Sequence, residues 1–180
     1  AIVAAVGEDP ATTTVKWDGK PAIIFGRQDD GSFVLTDVAG FTAKGYNGLF
    51  TSPRQIAQQM AARDAAAAAK GGAATRTEQL TPIYTTLWPQ LEAAVPNKFR
   101  GFIHGDLLYM TTPPLQAGNY VFQPNTIEYR IPAASDVGRR IGSSEQGVAV
   151  HTYYAEPGAA KQPVTPQLMS ELKPVPGLLL

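Results

Sequence analysis

Short apolar runs broken by proline, glycine, asparagine and serine leave this chain room for few long helices and push it toward sheet. Two stretches carry helix signals. In Ser52-Pro53-Arg54-Gln55 a serine N-cap precedes proline at the first helical position, and glutamine follows three residues after the cap. That helix is expected to pass Ile56 and Met60, enter an alanine tract and stop at Gly71-Gly72. Alanine favours helix but buries little, so residues 65–74 are expected as a surface helix end or a variable insertion, with no chemistry assigned. A second helix is expected from Thr81-Pro82, with Ile83, Leu87, Leu91 and Val95 on one face, a kink at Pro89 and a stop at Pro96.

The other runs read as strands: residues 12–17, 22–27, 33–38, 101–110, 126–131 and 147–154. The turn Gln28-Asp29-Asp30-Gly31 joins the second and third of these as a hairpin. Strands, then two main helices, then strands again describe an α+β fold dominated by antiparallel sheet. Residues 1–154 are expected as one domain, with 155–180 a proline-rich linker or surface segment.

Composition narrows the function classes. A length of 180 residues suits one moderate domain or a slice of a larger one, and the chain, running from Ala1 to Leu178-Leu179-Leu180, is expected to be a fragment. With 44% hydrophobic and 17% charged residues a packed core is expected. Fifteen basic and fifteen acidic residues cancel, so any nucleic-acid contact must come from a local groove. The absence of cysteine excludes disulfides, thiol catalysis and Cys-ligated zinc, and two histidines argue against a His-rich metal site. No apolar run approaches the roughly 20 residues of a membrane helix, and residues 1–6 lack the basic flank of a signal peptide. A cytoplasmic protein without a membrane partner is expected.

Four segments carry chemistry. In Lys16-Trp17-Asp18-Gly19 strand alternation puts Lys16 and Asp18 on one face and Val15 and Trp17 on the other, before Gly19 and Pro21 turn the chain. A sheet would present a lysine nucleophile in this way. In the run from Gly101 to Tyr109, His104 and Asp106 share a face, and a carboxylate inside so apolar a run needs a partner. Phe41-Thr42-Ala43-Lys44-Gly45-Tyr46 sets a lysine before a turn glycine. Last, a Gln123-Pro124-Asn125 turn leads into the apolar run that begins at Thr126, and a later strand, residues 147–154, holds His151, Tyr153 and Tyr154.

Taken in chain order over residues 16–154, these segments resemble the covalent nucleotidyltransferases, a family that includes ATP-dependent DNA and RNA ligases and mRNA capping enzymes. Lys16-Trp17-Asp18-Gly19 resembles motif I, K-x-D-G. Gly105-Asp106 resembles the glycine-carboxylate pair of motif III, with Asp where the family usually has Glu. Thr42-Ala43-Lys44-Gly45 resembles the family's Thr-(Lys/Arg)-Gly element with Ala43 intervening, and residues 147–154 stand where motif IIIa would. The likeness is greatest to phage ligase-like adenylation domains.

The resemblance implies an incomplete nucleotidyltransferase (ATP-grasp-like ligase) adenylation domain with ATP and Mg²⁺ as cofactors. It makes Lys16 the nucleophile that forms lysyl-AMP, and Val15, Asp18, Gly19, Lys20, Lys44, Asp106 and His151 the nucleotide site. Asp106 would also serve the metal, and His151 would stack on the base. The AMP would pass to a 5′-phosphate for sealing to a 3′-hydroxyl, so RNA or DNA ends are the implied partners, in a phage-infected host cytoplasm. Departures are Pro21 where DNA ligases carry Arg, and the absence of recognisable Glu-Gly and Lys-x-Lys motifs after residue 154, for which truncation and weak activity in isolation are expected. Two alternatives are a GTP-dependent capping-type guanylyltransferase and a non-enzymatic phage structural or interaction domain. The enzyme reading requires Lys16, Asp106 and His151 to line one cleft.

Overall fold

β-Branched and aromatic residues on either side of the Asp29-Asp30-Gly31 turn set the first described hairpin in a computed structural model that describes the backbone of Val3–Val6 and residues 20–180. The strands are β1 (Val3–Val6), β2 (Ala22–Arg27), β3 (Phe33–Asp37), β4 (Gly101–Tyr109), β5 (Leu115–Gln116), β6 (Asn119–Phe122), β7 (Ile127–Pro132), β8 (Ser144–Tyr154), β9 (Gln162–Pro163) and β10 (Gly177–Leu179). The helices are α1 (Val38–Lys44), α2 (Pro53–Ala69), α3 (Arg76–Gln79), α4 (Thr81–Ala94), α5 (Asp136–Gly142) and α6 (Pro166–Ser170), with a 3-10 turn at Gly45–Gly48. The expected strand at residues 12–17 lies outside the described residues. Two compact units emerge: Ala1–Ala22, Gly105–Val150 and Pro174–Leu180 form one, Ile23–His104 and His151–Lys173 the other.

In the second unit the strand order is β8-β4-β2-β3. β2 and β3 pair antiparallel from Ile23↔Asp37 to Arg27↔Phe33, as the sequence predicts, and the Gly31 N–H closes the turn on the Gln28 carbonyl at 2.9 Å. Consecutive burial of Ile23, Ile24 and Phe25 means that both faces of β2 are covered. Ile24, Val34, Phe41, Leu49, Phe102 and Tyr154 form one buried cluster.

Side-chain caps start α1 and α2. Asp37 accepts from the Gly40 N–H at 2.9 Å and opens α1, a helix absent from the sequence reading, which continues residues 33–38 as strand. Ser52 accepts from the Gln55 N–H at 3.2 Å and opens α2, as expected. α2 buries Ile56 and Met60 and leaves its alanines largely on the surface. α4 buries Tyr84, Leu87, Trp88 and Leu91, continues through Pro89 and ends at Ala94. Arg27, itself buried, donates from Nε and Nη2 to the Val95 carbonyl at 3.0 and 2.9 Å, so the end of α4 is tied to β2. Leu91 is fully buried, and Leu91→Ala is expected to cost about 2–5 kcal/mol in a urea titration.

Tyr84 supplies a second stability prediction of opposite sign. Its hydroxyl is fully buried without a hydrogen-bond partner among the described residues, and burial pushes its pKa far up, so it stays neutral. An orphaned buried hydroxyl costs about 1–3 kcal/mol. Tyr84→Phe is therefore expected to raise the urea midpoint; a lowered midpoint would show that the hydroxyl has a partner in solution.

In the first unit β1-β7-β6-β5 form an antiparallel sheet, and a second run has the order β10-β8-β4, with β10 parallel to β8. Leu108, Tyr109, Phe122, Ile131 and Ile141 make its buried cluster. α5, also absent from the sequence reading, is capped by Ser135, which accepts from the Gly138 N–H at 3.0 Å. Asp136 lies in its first turn and Arg139 and Arg140 in its last, matching the helix dipole. Residues 155–180 are exposed or half-exposed throughout and carry β9, α6 and β10. The architecture is α+β and rich in antiparallel pairing. No described helix is long and apolar enough to cross a membrane.

Candidate functional site

β4 is buried along its length except at His104 and Asp106, which are half-buried at alternate positions and so share a face. Gly105 between them has a steric reason. A Cβ there would lie 2.9 Å from the Ala149 carbonyl oxygen and 2.9 Å from Val148 Cγ1, so only glycine permits this approach to β8. His151 on β8 brings its ring to 4.5 Å from that of His104, centroid to centroid, tilted by 56°. His151 Nδ1 is 2.7 Å from Thr152 Oγ1, a bond that orients the ring.

The chain leaving the Lys16-Trp17-Asp18-Gly19 segment is pinned in the same neighbourhood. Lys20, half-buried, donates its backbone N–H to the Pro124 carbonyl at 2.7 Å, and the Pro21 carbonyl accepts from the Leu107 N–H at 3.1 Å. Leu107 follows Asp106 directly. Pro124 belongs to the turn that the sequence reading singled out, so backbone bonds tie residues 20 and 21 to that turn and to β4. Val15, Lys16, Asp18 and Gly19 themselves lie outside the described residues.

Lys44 stands elsewhere in the set. It is the exposed last residue of α1 and lines an open groove of about 550 Å³ together with Asp37, Arg63, Lys70 and Arg76. His104, Asp106 and His151 do not line that groove. Arg63 and Lys70 of α2 and Arg76 of α3 escaped the sequence reading because only packing brings these helices to Lys44 of α1. His104 was legible as the same-face neighbour of Asp106 but carried no assigned role.

The donor set bears on the metal that the family resemblance implies. Mg²⁺ takes oxygen ligands in near-octahedral geometry and keeps several waters, whereas paired imidazoles suit Zn²⁺ and other first-row transition metals. The His104–His151 pair does not fit Mg²⁺. In a calorimetric titration Zn²⁺ is expected to bind at least about tenfold more tightly than Mg²⁺. His104→Ala with His151→Ala is expected to remove the Zn²⁺ heat; equal affinity for both ions would count against this assignment of donors.

Comparison with known proteins adds one finding. Residues 72–171, more than half of the chain, match a family of unknown function (DUF6267), and that segment contains His104, Asp106 and His151 but neither Lys16 nor Lys44. No curated protein and no solved structure matches the chain.

Proposed function

The chain belongs to the DUF6267 family, whose function is unknown, and we propose that it is an ATP-dependent, polynucleotide-ligase-like nucleotidyltransferase with Lys16 as the adenylylated residue. One observation carries this reading. Pro21, five residues after Lys16, is hydrogen-bonded to the residue next to Asp106, so the chain leaves the lysine segment against the strand that bears the carboxylate. The K-x-D-G resemblance requires Lys16 to lie near that carboxylate, and this bond supports the reading.

In the proposed reaction the Lys16 Nζ, having lost a proton, attacks the α-phosphorus of ATP. A P–N bond forms, the bond to the β-phosphate oxygen breaks, and pyrophosphate leaves with that electron pair. A lysine of ordinary pKa, ~10.4, is neutral in only about one molecule in a thousand at pH 7. The site must therefore favour the neutral amine by desolvation or a nearby cation. Asp106 would hold the ribose hydroxyls and His151 would stack on the base. The AMP then passes to a 5′-phosphate, and a 3′-hydroxyl displaces it to seal the strand.

The discriminating experiment compares nucleotides labelled at the α- and γ-phosphates, read on a denaturing gel. Covalent label from the α-position of ATP and none from the γ-position is expected. Label from GTP alone would convert the assignment to capping chemistry, and no label from either nucleotide would end the proposal.

A further inference from the structure

The groove beside Lys44 concentrates charge that the chain as a whole lacks. Residues 37–76 carry Lys44, Arg54, Arg63, Lys70 and Arg76 against Asp37 and Asp64, a local net charge of +3 in a protein whose formal net charge is zero. Four of those five cations line the groove; Arg54 does not.

Existing ion pairs determine which of the four can meet a ligand. Arg63 forks onto Asp37, with Nη2 at 3.3 Å from Oδ1 and a shorter contact from Nη1 to Oδ2. This pair is the fixed wall of the groove. Arg76 is 3.9 Å from Asp64, whose carboxylate also accepts from the Arg76 and Thr77 backbone N–H groups at 2.9 and 2.7 Å. Those Thr77 hydrogen bonds hold the Asp64 carboxyl below its ordinary pKa. Arg76 thus keeps a loose, partial partner. Lys44 and Lys70 are exposed and form no ion pair among the described residues.

The chemistry of the lining selects the partner. Between the cations lie Ala39, Gly40, Ala43, Ala66 and Ala67, so nothing bulky keeps a polymer backbone from the charges. Protein interfaces place aromatic or large apolar anchors at their centre. None lines this groove. A row of ammonium and guanidinium groups over a shallow floor suits phosphodiesters, with Arg able to fork onto phosphate oxygens and Lys acting as a point charge. Two residues beyond Lys44, Tyr46 is half-exposed with its ring edge-on to Phe102 at 6.4 Å, a face on which an unpaired base can stack.

We infer that the groove between α1 and α2, through Lys44, Lys70 and Arg76, binds the phosphate backbone of single-stranded nucleic acid. The inference rests on the polynucleotide reading above and supplies the strand path that reading lacks. It also gives the alanine tract of α2, to which the sequence analysis assigned no chemistry, a role as the floor of a backbone channel.

The test is fluorescence anisotropy of the full chain with end-labelled single-stranded RNA and DNA 20-mers across a salt series. Three neutralised phosphates predict a log–log salt slope of about −2, or roughly a 20-fold loss of affinity between 50 and 200 mM salt. Lys44→Ala with Lys70→Ala is expected to reduce the slope to about −0.7 and weaken low-salt binding by at least about tenfold. Arg54→Ala, which removes a cation of α2 outside the groove, leaves binding unchanged. Wild-type binding without salt dependence, a double variant that binds like wild type, or an Arg54→Ala loss as large as the double variant's would each overturn the inference. So would polyglutamate competing as well as RNA. Covalent labelling by ATP is measured on the same variants. Labelling with no effect of the groove overturns only this inference, and a groove effect with no labelling overturns only the adenylation reading.

Discussion

Replacing Lys16 by alanine is expected to abolish covalent labelling by α-labelled ATP, the largest functional effect the proposed chemistry allows. The reason is stoichiometric: the phosphoramidate needs one primary amine, and alanine supplies none. Lys16→Arg is the informative companion. Guanidinium keeps the charge and most of the reach but stays protonated, with a pKa of roughly 12.5–13.8, so it cannot act as the nucleophile. If the role of Lys16 were only to hold phosphate by charge, arginine would retain function. Loss of label in both variants, with melting curves unchanged, identifies the amine as the attacking group. Persistent label in Lys16→Ala would move the nucleophile elsewhere and remove the basis of the assignment.

The largest structural effect is expected at a glycine. A Cβ on Gly26, in the middle of β2, would lie 1.9 Å from the Gly101 carbonyl oxygen, 2.9 Å from its carbon and 3.0 Å from Phe102 Cα. All three are backbone atoms, so no side chain can swing away. Gly26→Ala must push β2 from the start of β4, where Ile24 and Phe102 share a buried cluster. Overpacking usually costs about 1–3 kcal/mol, and a backbone collision belongs at or above the top of that range. For a chain of this size about 3 kcal/mol lowers the melting temperature by roughly 6–12 °C. A shift below about 2 °C would mean that these strands do not approach as described.

Both predictions show where sequence reasoning reaches. The lysine segment was conspicuous because strand alternation puts Lys16 and Asp18 on one face, a relation between neighbours. Gly26 drew no notice. Its requirement comes from Gly101, 75 positions away, and no local pattern encodes a carbonyl arriving from there. Helices divide in the same way. The α2 start was legible in Ser52-Pro53 and the α4 face in Leu87 and Leu91, since caps and four-residue spacings are local. α1 and α5 are seven residues each, too short for periodicity to stand out from the strands beside them. Their caps, Asp37 and Ser135, were the available signal.

The candidate site has the same division. That His104 and Asp106 face the same way follows from their spacing alone. That the ring of His151 meets that of His104, that Pro21 docks beside Asp106, and that Arg63, Lys70 and Arg76 gather around Lys44 are properties of the folded chain.

Local stereochemistry, written in side-chain alternation, caps and turn residues, was enough to define the hairpin, the two long helices and the β4 face of this protein. Which distant residues became neighbours was decided only when burial of the apolar faces chose one packing among many. The energy that selects a packing is summed over contacts between segments far apart in the chain, so it leaves no periodic trace in any one of them.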